Sequence, residues 1–189
     1  RPSDEPLLLG MPGKLRKLGW SSSISFEKTL SDIYENVKPL LMYDDLSFIN
    51  LEFPIDNRKK QSSYPSFNVH SSYVQAAIDG GFDVFSLANN HTNDFGIDSL
   101  EETILHMDKF QNRESIIYSG LFKKGEDEFI IKSIQVKDLH IGFIAVTQFN
   151  NNYWNKEGQK RVYTINYNNE VKAKRLINFI ESQDSKFDC

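Results

Sequence analysis

Two short apolar runs in the chain each end in a group of polar side chains. The first run, residues 46–51, is followed by Glu52, and Pro54 then prevents the strand from continuing. The second run, residues 84–88, leads directly into Asn89-Asn90-His91. Short apolar runs bounded by turn residues are typical of strands that are covered on both faces. The pattern therefore predicts two buried strands whose polar ends share one edge of a sheet.

Helical periodicity separates and follows these strands. Apolar residues recur at helical spacing over residues 26–41, and Pro39 marks the end of that helix. Shorter helices are predicted at 72–79 and 101–111, before and after the second strand. Asn169 caps a final predicted helix. The apolar positions of that last helix are Val171, Leu176, Ile177 and Ile180.

The second half of the chain contains further strand patterns. Residues 129–136 and 139–146 predict a hairpin, because the tight turn Lys137-Asp138 joins them. A short strand is predicted at 163–167, and another begins at Phe187. Together the elements predict an α/β fold, a layered sandwich-like sheet flanked by helices, with ligands at the carboxyl ends of the strands.

Composition and charge limit the classes of function. The chain has 189 residues, 39% of them hydrophobic, which suits a single domain or most of one. The net charge is -4 and there is no basic stripe, so nucleic acid is not expected as the main partner. No apolar run reaches the length of a membrane-spanning helix. The basic loop at 57–66 would attract an anionic substrate or be a plain solvated loop.

The polar strand ends carry side chains that suit metal chemistry. Asn90 offers a neutral amide oxygen, and His91 offers a ring nitrogen that binds metal or transfers a proton. Taken alone, Asn-Asn-His more often forms a simple turn, because Asn tolerates left-handed backbone and bonds its own main chain. Glu52 at the other strand end is either a ligand or a solvated carboxylate. Two strand ends with ligand-type residues favour a functional site.

The same residues carry a family resemblance. Asn50-Leu51-Glu52-Phe53-Pro54, Ser66-Phe67-Asn68 and Ser86-Leu87-Ala88-Asn89-Asn90-His91 resemble the CapA-type bacterial capsule-synthesis proteins, the poly-γ-glutamate capsule family. That family belongs to the calcineurin-like metallophosphoesterase superfamily. The resemblance continues through Asp94 and Gly96 and extends from about residue 26 to about residue 188. It implies a metallophosphoesterase-type fold.

The resemblance implies a role for each matching residue. It makes Glu52 and Asn90 ligands of a divalent metal (Mn, Fe or Zn), in a site that is dinuclear in complete family members. It makes His91 the catalytic residue, which aids the attack on the scissile phosphate or protonates the leaving group. Three further residues would support them: Asn50 and Asn89 by orienting the ligands, and Asp94 by tying down the loop or capping the next helix.

The chain also departs from the family pattern. Met11 follows the apolar run 7–10, where family members carry a metal-binding Asp, and no His-Trp-Gly or late Gly-x-His segment is present. We therefore expect an N-terminal segment at 1–25 with a degenerate first strand, and a partial CapA-like domain at 26–189 that is incomplete at its C-terminus. An unfinished strand at Phe187 would expose a sheet edge and favour self-association.

Two functions follow from these expectations. The first is a metal-dependent phosphoesterase-like hydrolase associated with capsule or poly-γ-glutamate synthesis, acting on an anionic polymer or phosphoester. The second is a non-catalytic capsule-assembly or surface-binding protein that keeps the fold, which Met11 supports. The resemblance further implies an extracytoplasmic location, in the periplasm or at the cell surface, and association with a capsule-synthesis membrane complex.

Overall fold

A parallel sheet forms the centre of the structure, a computed structural model that describes residues 16–19, 21, 23–24, 26–126, 129–151, 155–166 and 168–189. The predicted first strand at 7–10 and Met11 lie outside these residues. The sheet contains β1 (Phe48–Asn50), β2 (Val84–Ser86) and β3 (Ile117–Ser119), in that order. Both neighbouring pairs are parallel, so all three carboxyl ends lie at one edge.

Helices connect and cover these strands, as the periodicity predicted. The helices are α1 (Phe26–Leu41), α2 (Ser71–Asp79), α3 (Ile97–Arg113), α4 (Lys156–Gln159) and α5 (Glu170–Gln183). The predicted bounds of α1 are confirmed, and α2 begins one residue early. Helix α3 is longer than predicted, because Gly96 turns the chain into it with a φ of 80°. The α/β class is therefore confirmed.

The predicted hairpin is confirmed, although its strands are shorter than expected. Strands β4 (Lys132–Val136) and β5 (Leu139–Phe143) pair antiparallel as a separate two-stranded sheet. The strand predicted at 163–167 is wrong within the described residues. Val162 bridges Leu121, whereas Thr164 bridges Thr147, so the segment divides its backbone bonds between two neighbours and forms no ladder. The described residues do not show a sandwich.

The core lies between the parallel sheet and the helices α2 and α3. It includes Phe85 of β2 and Met107 of α3, both fully buried, together with other apolar residues. Burial of such side chains is the main source of stability. Helix α5 differs, because none of its residues is buried and its predicted apolar positions are half-buried or exposed.

The last residues of the chain lie beside β5. The Asp188 amide donates to the His140 carbonyl, and the Gly142 amide donates to the Cys189 carbonyl. These bonds advance in the same direction along both segments, which is the pattern of parallel neighbours. The strand predicted to begin at Phe187 is not formed in residues 187–189, because the segment makes these two backbone hydrogen bonds to β5 and no ladder.

Candidate functional site

The carboxyl ends of the strands form a rim that stays connected beyond the sheet. The Leu51 amide donates to the Ser86 carbonyl at 2.9 Å, which extends the pairing of β1 with β2. The Asn89 side-chain nitrogen then donates to the Leu51 carbonyl at 2.8 Å. Glu52 follows Leu51 and Asn90 follows Asn89, so the chain places these two residues on one edge of the sheet.

Asn89 organises the turn that carries Asn90 and His91. Its side-chain oxygen accepts the His91 amide at 3.0 Å, and its own amide donates to the Thr92 hydroxyl. That hydroxyl donates back to the Leu87 carbonyl. Asn89 is buried, with 7% of its surface exposed. The side chain therefore fixes the backbone on both sides of Asn90, which is the local turn function that Asn commonly performs.

The imidazole of His91 is held by a carboxylate. Its Nδ1 lies 2.8 Å from Oδ2 of Asp94, and only 12% and 4% of these side chains are exposed. An ionised carboxylate only accepts hydrogen bonds, so Nδ1 carries the hydrogen and Nε2 is the acceptor of the neutral ring. The same Asp94 oxygen accepts the Phe67 amide at 2.8 Å. Asp94 therefore ties two segments together and does not cap α3.

Two further residues fix the orientation of the His91 ring. The Phe67 ring packs edge-on against it, with 4.5 Å between the ring centroids. Asn151 donates its amide to the Asn90 carbonyl at 2.8 Å, and its side-chain nitrogen lies 3.3 Å from both ring nitrogens of His91. This role of Asn151 was not predictable from local sequence, because Asn151 lies in a polar loop that is 60 positions from His91 in the chain.

The loop that carries Phe67 is anchored by a buried carboxylate. Asp56 is fully buried and accepts hydrogen bonds from the amide and guanidinium of Arg58 and from the Ser99 hydroxyl. Hydrogen bonding from Arg58 holds the pKa of Asp56 well below its usual range. The buried Asn68 side chain bonds the amide and the carbonyl of Asp56. This network positions Phe67 beside His91.

The same network changes the interpretation of the basic loop. Arg58 also pairs with Glu102 at 3.1 Å, so two carboxylates already contact its guanidinium. The Lys59 ammonium lies 5.7 Å from the centre of the Phe95 ring. These contacts give two of the loop cations structural partners. These partners favour the interpretation of 57–66 as a structural loop over the interpretation that it attracts an anionic substrate.

The two predicted metal ligands, Glu52 and Asn90, have oxygen donors of a suitable type, but two ligands are fewer than a complete metal site needs. Glu52 is exposed and Asn90 is half-buried, and neither side chain makes a hydrogen bond within the described residues. A carboxylate and an amide oxygen suit a hard or borderline divalent cation. In the part of the chain that the structure describes, no group of three or more His, Cys, Asp or Glu could hold a metal. These two donors therefore fit a divalent cation in type, and they would make up only part of its coordination sphere.

The structure shows no contact through which Asn50 would orient the predicted ligands. Asn50 lies at the exposed end of β1, and its side chain makes no hydrogen bond among the described residues. Its predicted orienting function stays a prediction. Across residues 16–189, apart from the gaps given above, no helix has the length and apolarity that crossing a bilayer requires.

Comparison with known proteins relates this geometry to one family. The family model described as bacterial capsule synthesis protein PGA_cap matches residues 15–186. The match includes the rim, the turn around His91 and the Asp56 loop. No curated protein matches the chain.

Proposed function

Because the chain belongs to the bacterial capsule synthesis protein PGA_cap family, we propose that it is a metal-dependent phosphoesterase-like hydrolase in capsule or poly-γ-glutamate synthesis. The observation that carries this proposal is the His91–Asp94 pair, which lies next to Asn90 on the rim. A histidine held by a carboxylate beside ligand-type oxygens is suited to proton transfer during ester hydrolysis. The finer fold, a layered metallophosphoesterase-type sandwich, belongs to the same proposal.

His91 would act through its Nε2 atom. Asp94 holds the hydrogen on Nδ1, so Nε2 is the atom that takes up a proton and donates it to the leaving oxygen. Protonation makes the ring a cation, and the adjacent carboxylate stabilises that cation. Asn151 would hold the neutral ring in place until a substrate oxygen replaces its amide at Nε2.

Glu52 and Asn90 would hold a divalent metal, Mn, Fe or Zn. When bound, such a metal polarises the phosphoryl oxygen and lowers the pKa of a coordinated water. Both side chains lack hydrogen-bond partners within the described residues, so they are open to a cation. A dinuclear site would need ligands beyond these two.

Hydrolysis of a generic phosphodiester tests the proposal. With added Mn²⁺, the protein should hydrolyse bis(p-nitrophenyl) phosphate, and His91→Ala should lower the rate by about 10²-fold or more, the usual contribution of a general acid. His106→Ala is the matched control, because His106 also lies near a carboxylate, Glu102, but away from the rim. An unchanged rate in His91→Ala, or an equal loss in His106→Ala, would contradict the assignment.

A non-catalytic capsule-assembly or surface-binding protein is the second candidate. The observation that favours it is the short ligand set, because the described residues contain no group of three metal-binding His, Cys, Asp or Glu side chains. In either case we propose that the protein is extracytoplasmic and binds an anionic polymer or phosphoester. We also propose that it associates with a capsule-synthesis membrane complex and that it self-associates through an exposed sheet edge. Retained binding without Mn²⁺-dependent hydrolysis would identify the second candidate.

A further inference from the structure

An open groove with basic walls lies beside the rim. Its volume is about 600 Å³, and its walls come from the loop 148–150, from α4 and from the residues around the start of α5. Among the described residues that line it, three are lysines and none is acidic. The remaining lining consists of Phe149, five amide side chains and one hydroxyl. The lysines that line it are Lys156, Lys160 and Lys172.

The charge of this groove is opposite to that of the whole chain. The chain carries 22 basic and 26 acidic residues, whereas the described lining of the groove contains three lysines and no carboxylate, so the sign of the charge is locally reversed. Lys156 is exposed and forms no ion pair among the described residues. Lys160 pairs with Glu157 at 2.8 Å, but both side chains are about 70% exposed. Such a surface pair is weak and easily replaced by a ligand.

Both walls of the groove are attached to the turn that carries His91. On one side, Asn150 lines the groove and its neighbour Asn151 contacts Asn90 and His91. On the other side, the Asn93 side chain donates to the Asn155 carbonyl at the start of α4. Both segments that form the groove walls are therefore bonded to the turn that carries His91.

Close packing keeps α4 at that position. Gly158 lies against the Asn93 side chain so closely that a Cβ atom there would overlap with Oδ1 of Asn93. Gly96 allows a similarly close approach of Asn155, whose side chain also caps α4 by accepting the Gly158 amide at 3.0 Å. Lys156 and Lys160 are thus carried by a backbone segment that packs closely against the turn.

We propose that this groove binds the anionic part of an extended ligand, a chain bearing two or more carboxylate or phosphate groups. Lys156 and Lys160 are four residues apart around α4, which corresponds to a rise of about 6 Å. They would contact successive anionic groups, while the amide side chains donate hydrogen bonds to the same oxygens. The inference rests on the proposed function, because the groove would hold the part of the substrate that extends away from His91.

Calorimetric binding of two small polyanions tests the proposal without any hydrolysis. The probes are tripolyphosphate and hexaglutamate, titrated in low salt without added metal into the full chain. Lys156→Gln/Lys160→Gln should weaken binding by about tenfold or more, since hydrogen bonds to charged groups commonly contribute that much. Lys28→Gln/Lys38→Gln is the matched control, because it removes two exposed lysines of α1, one of them also paired with an acidic residue.

The outcomes separate the groove from the proposed chemistry. Stronger binding of tripolyphosphate identifies a phosphate-bearing ligand, and stronger binding of hexaglutamate identifies a polycarboxylate. Lys156 and Lys160 form no hydrogen bond or ion pair with His91 among the described residues, so His91→Ala should keep its affinity for both probes. If His91→Ala binds the probes but hydrolysis is unaffected by the substitution, the proposed catalytic role of His91 fails and the groove proposal stands. The groove proposal is overturned if neither probe binds, if the Lys156/Lys160 variant binds normally, or if the Lys28/Lys38 variant is weakened equally.

Discussion

Replacement of Asp56 by Asn should destabilise the fold strongly, although the two side chains have the same size. Oδ1 of Asp56 accepts the amide and Nε of Arg58, and Oδ2 accepts Nη2 of Arg58 and the Ser99 hydroxyl. An Asn side chain keeps one acceptor oxygen but places an NH₂ group against the guanidinium. Arg58 is 54% exposed and can regain water, so part of the loss is offset.

The expected magnitude follows from the number of affected bonds. Hydrogen bonds to charged groups contribute roughly 1.5–3 kcal/mol each, so loss of the Nη2 bond and of the charge should cost about 2–3 kcal/mol. Urea unfolding at pH 7 measures this free energy from the midpoint and slope. Asp45→Asn is the control, because its ion pair with Lys137 is exposed and should contribute about 1 kcal/mol or less. Equal stabilities for the two variants would refute the reasoning.

The difference in unfolding free energy between the unmodified chain and Asp56→Asn should decrease at low pH. The pKa of Asp56 is lower in the folded chain than its unfolded value of about 3.9, because Arg58 hydrogen-bonds the charged form. Its stabilisation is therefore fully present above that unfolded value and is lost as the pH falls towards the folded pKa. The gap between the unmodified chain and Asp56→Asn should stay constant from about pH 5 to 7 and narrow below about pH 4.

Two further predictions concern residues that support the site. Asp94→Asn should lower phosphodiester hydrolysis by about tenfold or more, because Nδ1 of His91 loses its carboxylate partner. Initial rates measure this loss, and Asp98→Asn, at an exposed position in α3, should leave the rate unchanged. Gly158→Ala should destabilise the fold by roughly 1–3 kcal/mol in thermal unfolding, because the added Cβ overlaps with the Asn93 side chain. An unchanged Tm would contradict that packing.

The features that sequence reasoning predicted best are local in the chain. Strands β1 and β2 and the turn after β2 follow from apolar runs that end in polar residues within a few positions. The bounds of α1 were predictable because its apolar residues repeat at helical spacing. The predicted hairpin likewise depends on one tight turn, and Lys137 adopts the left-handed backbone there with a φ of 51°.

The features that sequence reasoning missed depend on contacts between distant segments. Asn151 meets His91 across 60 positions, and Ser99 meets Asp56 across 43. Neither contact leaves a periodic pattern that a single sequence could reveal. The strand predicted at 163–167 failed for a related reason, because its β-forming residues bridge two different partners. Propensity alone does not determine which neighbour a segment meets.

Titration with Mn²⁺ tests the central claim most directly, because it concerns the rim itself. Glu52 is exposed and makes no hydrogen bond among the described residues, so Glu52→Gln should unfold like the unmodified chain when no metal is added. We expect saturable Mn²⁺ binding to the unmodified chain. In Glu52→Gln the Mn²⁺ affinity should fall by at least about tenfold, because loss of an outer-shell partner already lowers metal affinity by that factor and loss of a ligand should lower it no less. Glu181→Gln, at an exposed carboxylate on α5, should bind as the unmodified chain does. Equal Mn²⁺ affinity in all three proteins, or no saturable binding in any, would contradict a metal site at Glu52 and Asn90.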